Sequence, residues 1–129
     1  MWLEDLAQHL EETGHGTRGK SIIIGRLDDS KLAESPMIGL MIEPGNVYFT
    51  QGVKGAAVRQ PMIQLSSRAE DYIDAWNAIE GAWNELGQIE NMTIGGTRFL
   101  VVKAQGDIED NDRDEKDRQE FVAHMEVWL

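Results

Sequence analysis

The sequence predicts an α+β fold, a single mainly antiparallel β-sheet with two helices packed on it, in the order α-β-β-β-α-β-β-β. Three observations predict it. Two segments carry helical apolar spacing, one at the start and one in the middle. Short β-branched or alternating runs fill the intervals between them. The last stretch alternates strictly over ten residues, as a long strand with one buried face does.

Leu3, Leu6, Ala7 and Leu10 recur at i, i+3, i+4, i+7 and place the first helix at about residues 2 to 12. A glycine-rich loop at Gly14, Gly16 and Gly19 ends it. Ser21-Ile22-Ile23-Ile24-Gly25-Arg26-Leu27 then reads as a strand. Past a polar connector at Asp28 to Lys31 and Ser35-Pro36, a second strand runs Met37 to Glu43. It stops at Pro44-Gly45, a pair suited to the centre of a type II turn. Residues 46 to 60 read as a partly extended loop or hairpin arm. Gln60-Pro61 opens a third strand, Met62 to Ser66.

Ser67, with Glu70 three residues on, matches a capping box for the second helix. Tyr72, Trp76, Ile79, Trp83 and Leu86 form its apolar stripe, and Gly87 is the stop. Such an aromatic stripe is read as the face laid on the sheet rather than a ligand platform. Met92-Thr93-Ile94, a Gly95-Gly96 turn and Thr97 to Ala104 read as a hairpin. An acidic loop follows. From Gln119 to Leu129, Phe121, Ala123, Met125, Val127 and Leu129 share one face, with Val122, His124, Glu126 and Trp128 on the other.

At 129 residues the chain is read as one domain, residues 1–129, able to bury about two-thirds of its unfolded surface. It has no cysteine, which excludes disulfides, thiolate metal sites and a cysteine nucleophile. Its apolar runs are too short to cross a membrane as a helix, and Glu4 and Asp5 stand where a signal peptide carries Lys or Arg. The expectation is a cytoplasmic protein with no membrane partner.

Acids outnumber bases 23 to 12, for a net charge of −11, which disfavours an extended face gripping nucleic-acid phosphates. Asp107, Glu109, Asp110, Asp112, Asp114, Glu115 and Asp117 face only Arg113 and Lys116 in one short stretch. Three accounts of this surplus stay open: a high-salt environment, a basic partner, or a surface past which nucleic acid slides without sticking.

Gly14 to Ser21 matches the phosphate-binding pattern G-x-x-x-x-G-K-[ST]. A working phosphate loop is entered from a strand and left through a helix, whose N-terminal amides meet the phosphates. Here a helix enters and a strand leaves, and no separate strand ends in an Asp to orient Mg²⁺. The match therefore reads as a connector. A small nucleotide-binding enzyme using Gly14, Gly19, Lys20 and Ser21 remains the competing class.

Other chemistry is thinner still. Asp110-x-Asp112-x-Asp114 opens like a calcium loop, but Glu115 replaces the required Gly and Phe121 the bidentate Glu. His9, His15 and His124 fall in a helix, a loop and a strand, without ligand spacing. There is no G-x-S-x-G motif. The sequence predicts no catalytic residue, metal or cofactor, and leaves an acidic DNA-mimic or immunity-type binder as a third class.

The second half carries a resemblance. Gln60-Pro61-Met62-Ile63-Gln64 and Arg68 lead into the Tyr72…Ala75…Ile79…Leu86 helix, then Ile94-Gly95-Gly96-Thr97-Arg98-Phe99. Asp114-Glu115-Lys116-Asp117-Arg118-Gln119-Glu120-Phe121 then enters the last strand. This succession, with Ile42-Glu43-Pro44-Gly45 before it, resembles the tail terminator (tail-completion, "minor capsid") proteins of long-tailed bacteriophages and related tailed viruses. The match extends over the whole chain in element order and is closest in residue detail from about 60 to 123.

The resemblance implies a non-enzymatic virion protein of the tail and neck, assembled in the host cytoplasm. It implies a homo-oligomeric ring, usually a hexamer, that caps the tail tube, stops its growth and offers the head-docking surface. The implied partners are further copies, the tail tube protein and a head-completion or neck protein, with DNA passing through the lumen unbound. A head-closure connector is the alternative within that class. From charge and loop position, Asp107, Glu109, Asp110, Asp112, Asp114 and Glu115 are expected to face the lumen. Tyr48, Phe49, Gln51, Lys54 and Arg59 are expected to contact tube or head.

Overall fold

The structure is a computed structural model that describes residues 1–27, 35–49 and 57–129. Its elements are α1 (Trp2–Glu12), β1 (Ile22–Ile24), β2 (Met37–Phe49), β3 (Ala57–Ala69), α2 (Tyr72–Leu86), β4 (Glu90–Ile94), β5 (Thr97–Ala104), β6 (Glu109–Arg113) and β7 (Gln119–Trp128). The expected order is present, with β6 added inside the acidic segment.

One sheet runs β1-β2-β3-β7-β5-β4, and β6 also pairs with β7. Among the named strands of the described residues, β1–β2 is parallel and the other pairings are antiparallel. β7 is the hub. β3 covers one of its edges through Met62↔Glu126 to Ala69↔Gln119. β5 and β6 share the other, β5 from Val101↔Trp128 to Ala104↔Met125 and β6 from Glu109↔Val122 onward. Between them the Gln105 N–H donates to the His124 carbonyl at 2.8 Å, so one excursion of chain tracks β7 nearly end to end.

Both helices bury apolar stripes in a common core. α1 contributes Leu3, Leu6, Ala7 and Leu10, and the sheet contributes Leu40, Ile63, Leu65, Phe121, Ala123, Met125 and Val127. Each large side chain so buried stabilises by about 1.5–3 kcal/mol before entropy is counted. α1 crosses to the far end of the sheet, where the Thr97 hydroxyl donates to Asp5 Oδ2 at 2.5 Å. Gly95 at the β4–β5 turn has φ 62°, and a Cβ there would strike that same Asp5 carboxylate.

Three expectations are corrected. Pro44-Gly45 is not a turn: β2 continues to Phe49, and the register shifts between Glu43 and Asn46. Two residues of β2 oppose the single Pro61 of β3, which makes a bulge. Neither proline has an N–H to give the ladder, and a Cβ on Gly45 would run into the Gln60 carbonyl and the Pro61 backbone. Pro61 accordingly lies within β3, which begins at Ala57.

Ser67 is also not the helix cap. It is a fully buried β3 residue whose hydroxyl donates to the Ala75 carbonyl at 2.8 Å. Asp71 caps α2, accepting from the Asp74 N–H at 3.2 Å. The buried line of α2 is Ala75, Ile79, Ala82 and Leu86. The larger aromatics flank that line, Trp76 and Trp83 half buried and Tyr72 exposed. Tyr72 and Trp76 meet Phe121 edge-on, with ring centroids 5.1 and 5.4 Å away.

Candidate interaction surfaces

The acidic segment is an ordered hairpin, β6 to β7. Its turn closes with the Asp114 N–H on the Arg118 carbonyl (2.9 Å) and the Asp117 N–H on the Asp114 carbonyl (3.0 Å). Asp112 and Asp117 have φ of 67° and 59°, a left-handed backbone that Asp tolerates better than most residues. This is why a run with no apolar residue can still fold: its side chains build its own turns.

Several carboxylates are spent in doing so. Asp110 Oδ1 accepts from the Asp112 N–H and from Gln119 Nε2, both at 2.7 Å. Asp107 Oδ1 accepts from the next N–H, that of Ile108, at 2.7 Å. Asp117 binds Arg113 Nε at 2.6 Å. Asp114 is the most engaged, taking the N–H groups of Lys116 (3.0 Å) and Arg118 (2.9 Å) and the Arg118 guanidinium (2.6 Å). Burial alone would raise its pKa. The hydrogen bonds and charge of Arg118, with the Lys116 N–H, outweigh that and hold the carboxyl below its ordinary value.

Behind the turn, Arg68 on β3 reaches Glu120 Oε1 at 3.1 Å, Asp114 Oδ2 at 3.7 Å and the Leu27 carbonyl at 3.1 Å. Of the six acids expected to face a lumen, Asp114 therefore turns into the hairpin. Glu109 and Glu115 present exposed carboxylates, while the exposed Asp112 accepts from the Arg113 N–H at 2.9 Å. Arg68 and Arg118 were legible in the sequence only as members of a succession. Their joint role appears once β3 is registered on β7.

The second expected surface is the end of the β2–β3 hairpin. Past the bulge, Asn46–Phe49 and Ala57–Gln60 pair with each other, while β3–β7 pairing starts at Met62 and β1 pairs no further than Leu40. Tyr48 and Phe49 pair with Val58 and Ala57, and Arg59 with Val47, on this two-stranded arm. Gln51 and Lys54 lie outside the described residues, as does the connector at Asp28 to Lys31.

The Gly14–Ser21 loop turns its amides inward. Thr17 N–H donates to Ser21 Oγ (2.8 Å), Arg18 N–H to Glu11 Oε2 (2.7 Å) and Gly19 N–H to the Ile22 carbonyl (2.9 Å). The Lys20, Ser21 and Ile22 N–H groups all donate to the Thr17 carbonyl. A phosphate would find no free row of donors there. Elsewhere His124 Nδ1 lies 2.9 Å from Glu43 Oε2, and His9 Nε2 lies 3.4 Å from Glu85. Among the described residues, no three His, Asp or Glu side chains converge as a metal site would need.

Among curated proteins none matches the sequence. Among solved structures, the fold is similar to a chain of the virion of a native gene transfer agent particle. The TM-score is 0.56 at 13% identity, over 95% of this chain and 82% of that one. Residues 9–129 match the family described as bacteriophage tail terminator protein. That match takes in the bulged hairpin, the capped second helix and the acidic hairpin alike, and the chain belongs to the bacteriophage tail terminator family.

Proposed function

We propose that this chain is a non-enzymatic tail terminator that assembles as a hexameric ring on the last ring of a tail tube. It stops tube growth there and offers the surface on which a head-completion or neck protein docks. The reading places it in the tail and neck of a virion, after assembly in the host cytoplasm.

The observation that carries the reading is the acidic hairpin. Its internal pairs, Asp114 with Arg118 and Asp117 with Arg113, fix its shape, while Glu109, Asp112 and Glu115 stay exposed. A ring around a DNA channel needs a stiff surface that repels phosphate, and clustered carboxylates supply one. We assign the exposed acids of the hairpin, Asp107, Glu109, Asp110, Asp112 and Glu115, to the lumen wall, with Asp114 bracing the turn behind them. The arm beyond the Pro44-Gly45 bulge, with Tyr48, Phe49, Gln51, Lys54 and Arg59, is assigned to the tube or head contact.

Electron microscopy of particles made without the protein tests this. Tubes of uncontrolled length support the terminator. Tails of normal length that fail to join heads assign the chain to head closure instead. Normal infectious particles overturn both.

A further inference from the structure

Resting on the ring reading above, we propose that neighbouring copies join head to tail, the basic β1 edge of one against the acidic β4 edge of the next. A closed ring of identical subunits needs two different, complementary patches on each subunit. β1 and β4 are the two ends of the strand path, and among the described residues each has one strand neighbour.

The β1 end is a basic island in an acidic protein. Between Gly14 and Leu27 the only Lys, Arg, Asp or Glu residues are Arg18, Lys20 and Arg26. All three are exposed. Arg18 Nη1 rests on the neutral Gln8 Oε1 at 3.1 Å, and Lys20 and Arg26 make no side-chain ion pair among the described residues. Beside them Ile24 is 41% exposed.

Gln8, Glu11, Arg18, Gly19 and Ile22 to Ile24 line an open groove of about 630 Å³ between α1 and β1. Its one carboxylate, Glu11, is engaged by the Arg18 N–H. In a parallel ladder alternate residues face the partner strand. Ile23 therefore turns to β2, and Ile22 and Ile24 turn to the edge. The loop already takes both backbone groups of Ile22, through Gly19 and Thr17. Those of Ile24 point outward.

The β4 end has the opposite sign, and it too carries exposed apolar side chains, Met92 on β4 and Leu100 on neighbouring β5. Met92 is 39% and Leu100 42% exposed. Glu90 is exposed at the start of β4, and the first turn of α1, tied to β5 by Asp5 and Thr97, adds the exposed Glu4. The one cation nearby, Arg98, is turned onto Asn91. The β6 edge is also acidic, but β6 pairs with β7 at the middle of the sheet path rather than at an end, and its carboxylates are assigned above to the lumen.

The test compares two charge-reversed proteins with wild type by native mass spectrometry and negative-stain microscopy. One is Arg18→Glu/Lys20→Glu/Arg26→Glu; the other is Glu4→Lys/Glu90→Lys. All substituted side chains are exposed, and circular dichroism checks that each variant folds. Each alone is expected to lose the ring, with subunit association weakened at least about tenfold. An equimolar mixture is expected to restore rings of alternating subunits, because each reversed edge then meets a reversed partner. Rings that persist in either variant overturn the contact, as does a mixture that stays dissociated. A wild-type chain that forms no ring, alone or on tube ends, refutes the ring reading itself.

Discussion

Arg68 and Glu120 face each other across the β3–β7 register, Nε to Oε1 at 3.1 Å, with side chains 11% and 22% exposed. The pair joins the sheet to the acidic hairpin, because the same guanidinium approaches Asp114 at 3.7 Å and donates to the Leu27 carbonyl. One cation thus holds two half-buried carboxylates and the chain just past β1.

Replacing Arg68 by Ala leaves Glu120 and Asp114 near each other without that cation. Partial solvent access moderates the penalty of a buried orphan charge, so the expected loss is about 2 kcal/mol. Guanidinium unfolding measures it. Arg68→Lys, which keeps the charge but not the fork of donors, is expected to recover less than half. A neutral Arg68→Ala would show that the hairpin is held by its own turn alone.

Asp114 makes the hairpin acid-sensitive in a defined window. Its folded pKa lies below the ordinary 3.8 because Arg118 and the Lys116 N–H favour the charged form. The folded state therefore binds this proton less readily than the unfolded one. The stabilisation is complete above 3.8 and is lost as pH falls through the lower folded value. Asp114→Asn is expected to be less stable than wild type by about 2 kcal/mol at neutral pH, with the gap narrowing as pH falls below 3.8. A gap that stays constant with pH contradicts this.

Gly45 is expected to resist even the smallest substitution. A Cβ meets the Gln60 carbonyl and the Pro61 Cα, both main-chain atoms that cannot rotate away. Gly45→Ala should cost about 1–3 kcal/mol, as overpacking does. Amide exchange locates the effect: Asn46–Phe49 should lose protection before Ile38 to Ile42 do. Equal loss along all of β2 would mean that the bulge does not divide arm from sheet.

What could be read from the sequence follows from which forces act locally. The bounds of α1 were legible because Leu3, Leu6, Ala7 and Leu10 mark a helical face with no competing pattern. The alternation from Phe121 to Val127 marked β7 in the same way. β6 was not legible, since Glu109–Arg113 has no apolar residue and owes its extended form to β7. Pro44-Gly45 misled because a turn and a bulge use the same dipeptide, and only Pro61 on the opposite strand decides between them. The acidity of the candidate lumen surface was visible as charge. Which carboxylates are internally spent was not, because Arg68 lies far from Asp114 in sequence and meets it only through strand register.

The Gly14–Ser21 string matches a nucleotide-binding pattern while its amides serve the α1–β1 connection, and the two roles separate experimentally. Ser21 Oγ accepts from the Thr17 N–H at 2.8 Å, so Ser21→Ala removes an acceptor from a tight turn and should cost about 1 kcal/mol without altering the fold. In a phosphate loop the same hydroxyl would hold Mg²⁺, and a nucleotide that binds the native state raises its melting temperature by mass action. Mg²⁺ with ATP is expected to leave the melting temperature of the wild-type chain unchanged, and that of Ser21→Ala unchanged from its own lower value. A nucleotide-dependent rise in wild type that Ser21→Ala abolishes would return the loop to catalysis, against the inward-turned donors of Thr17, Arg18 and Gly19.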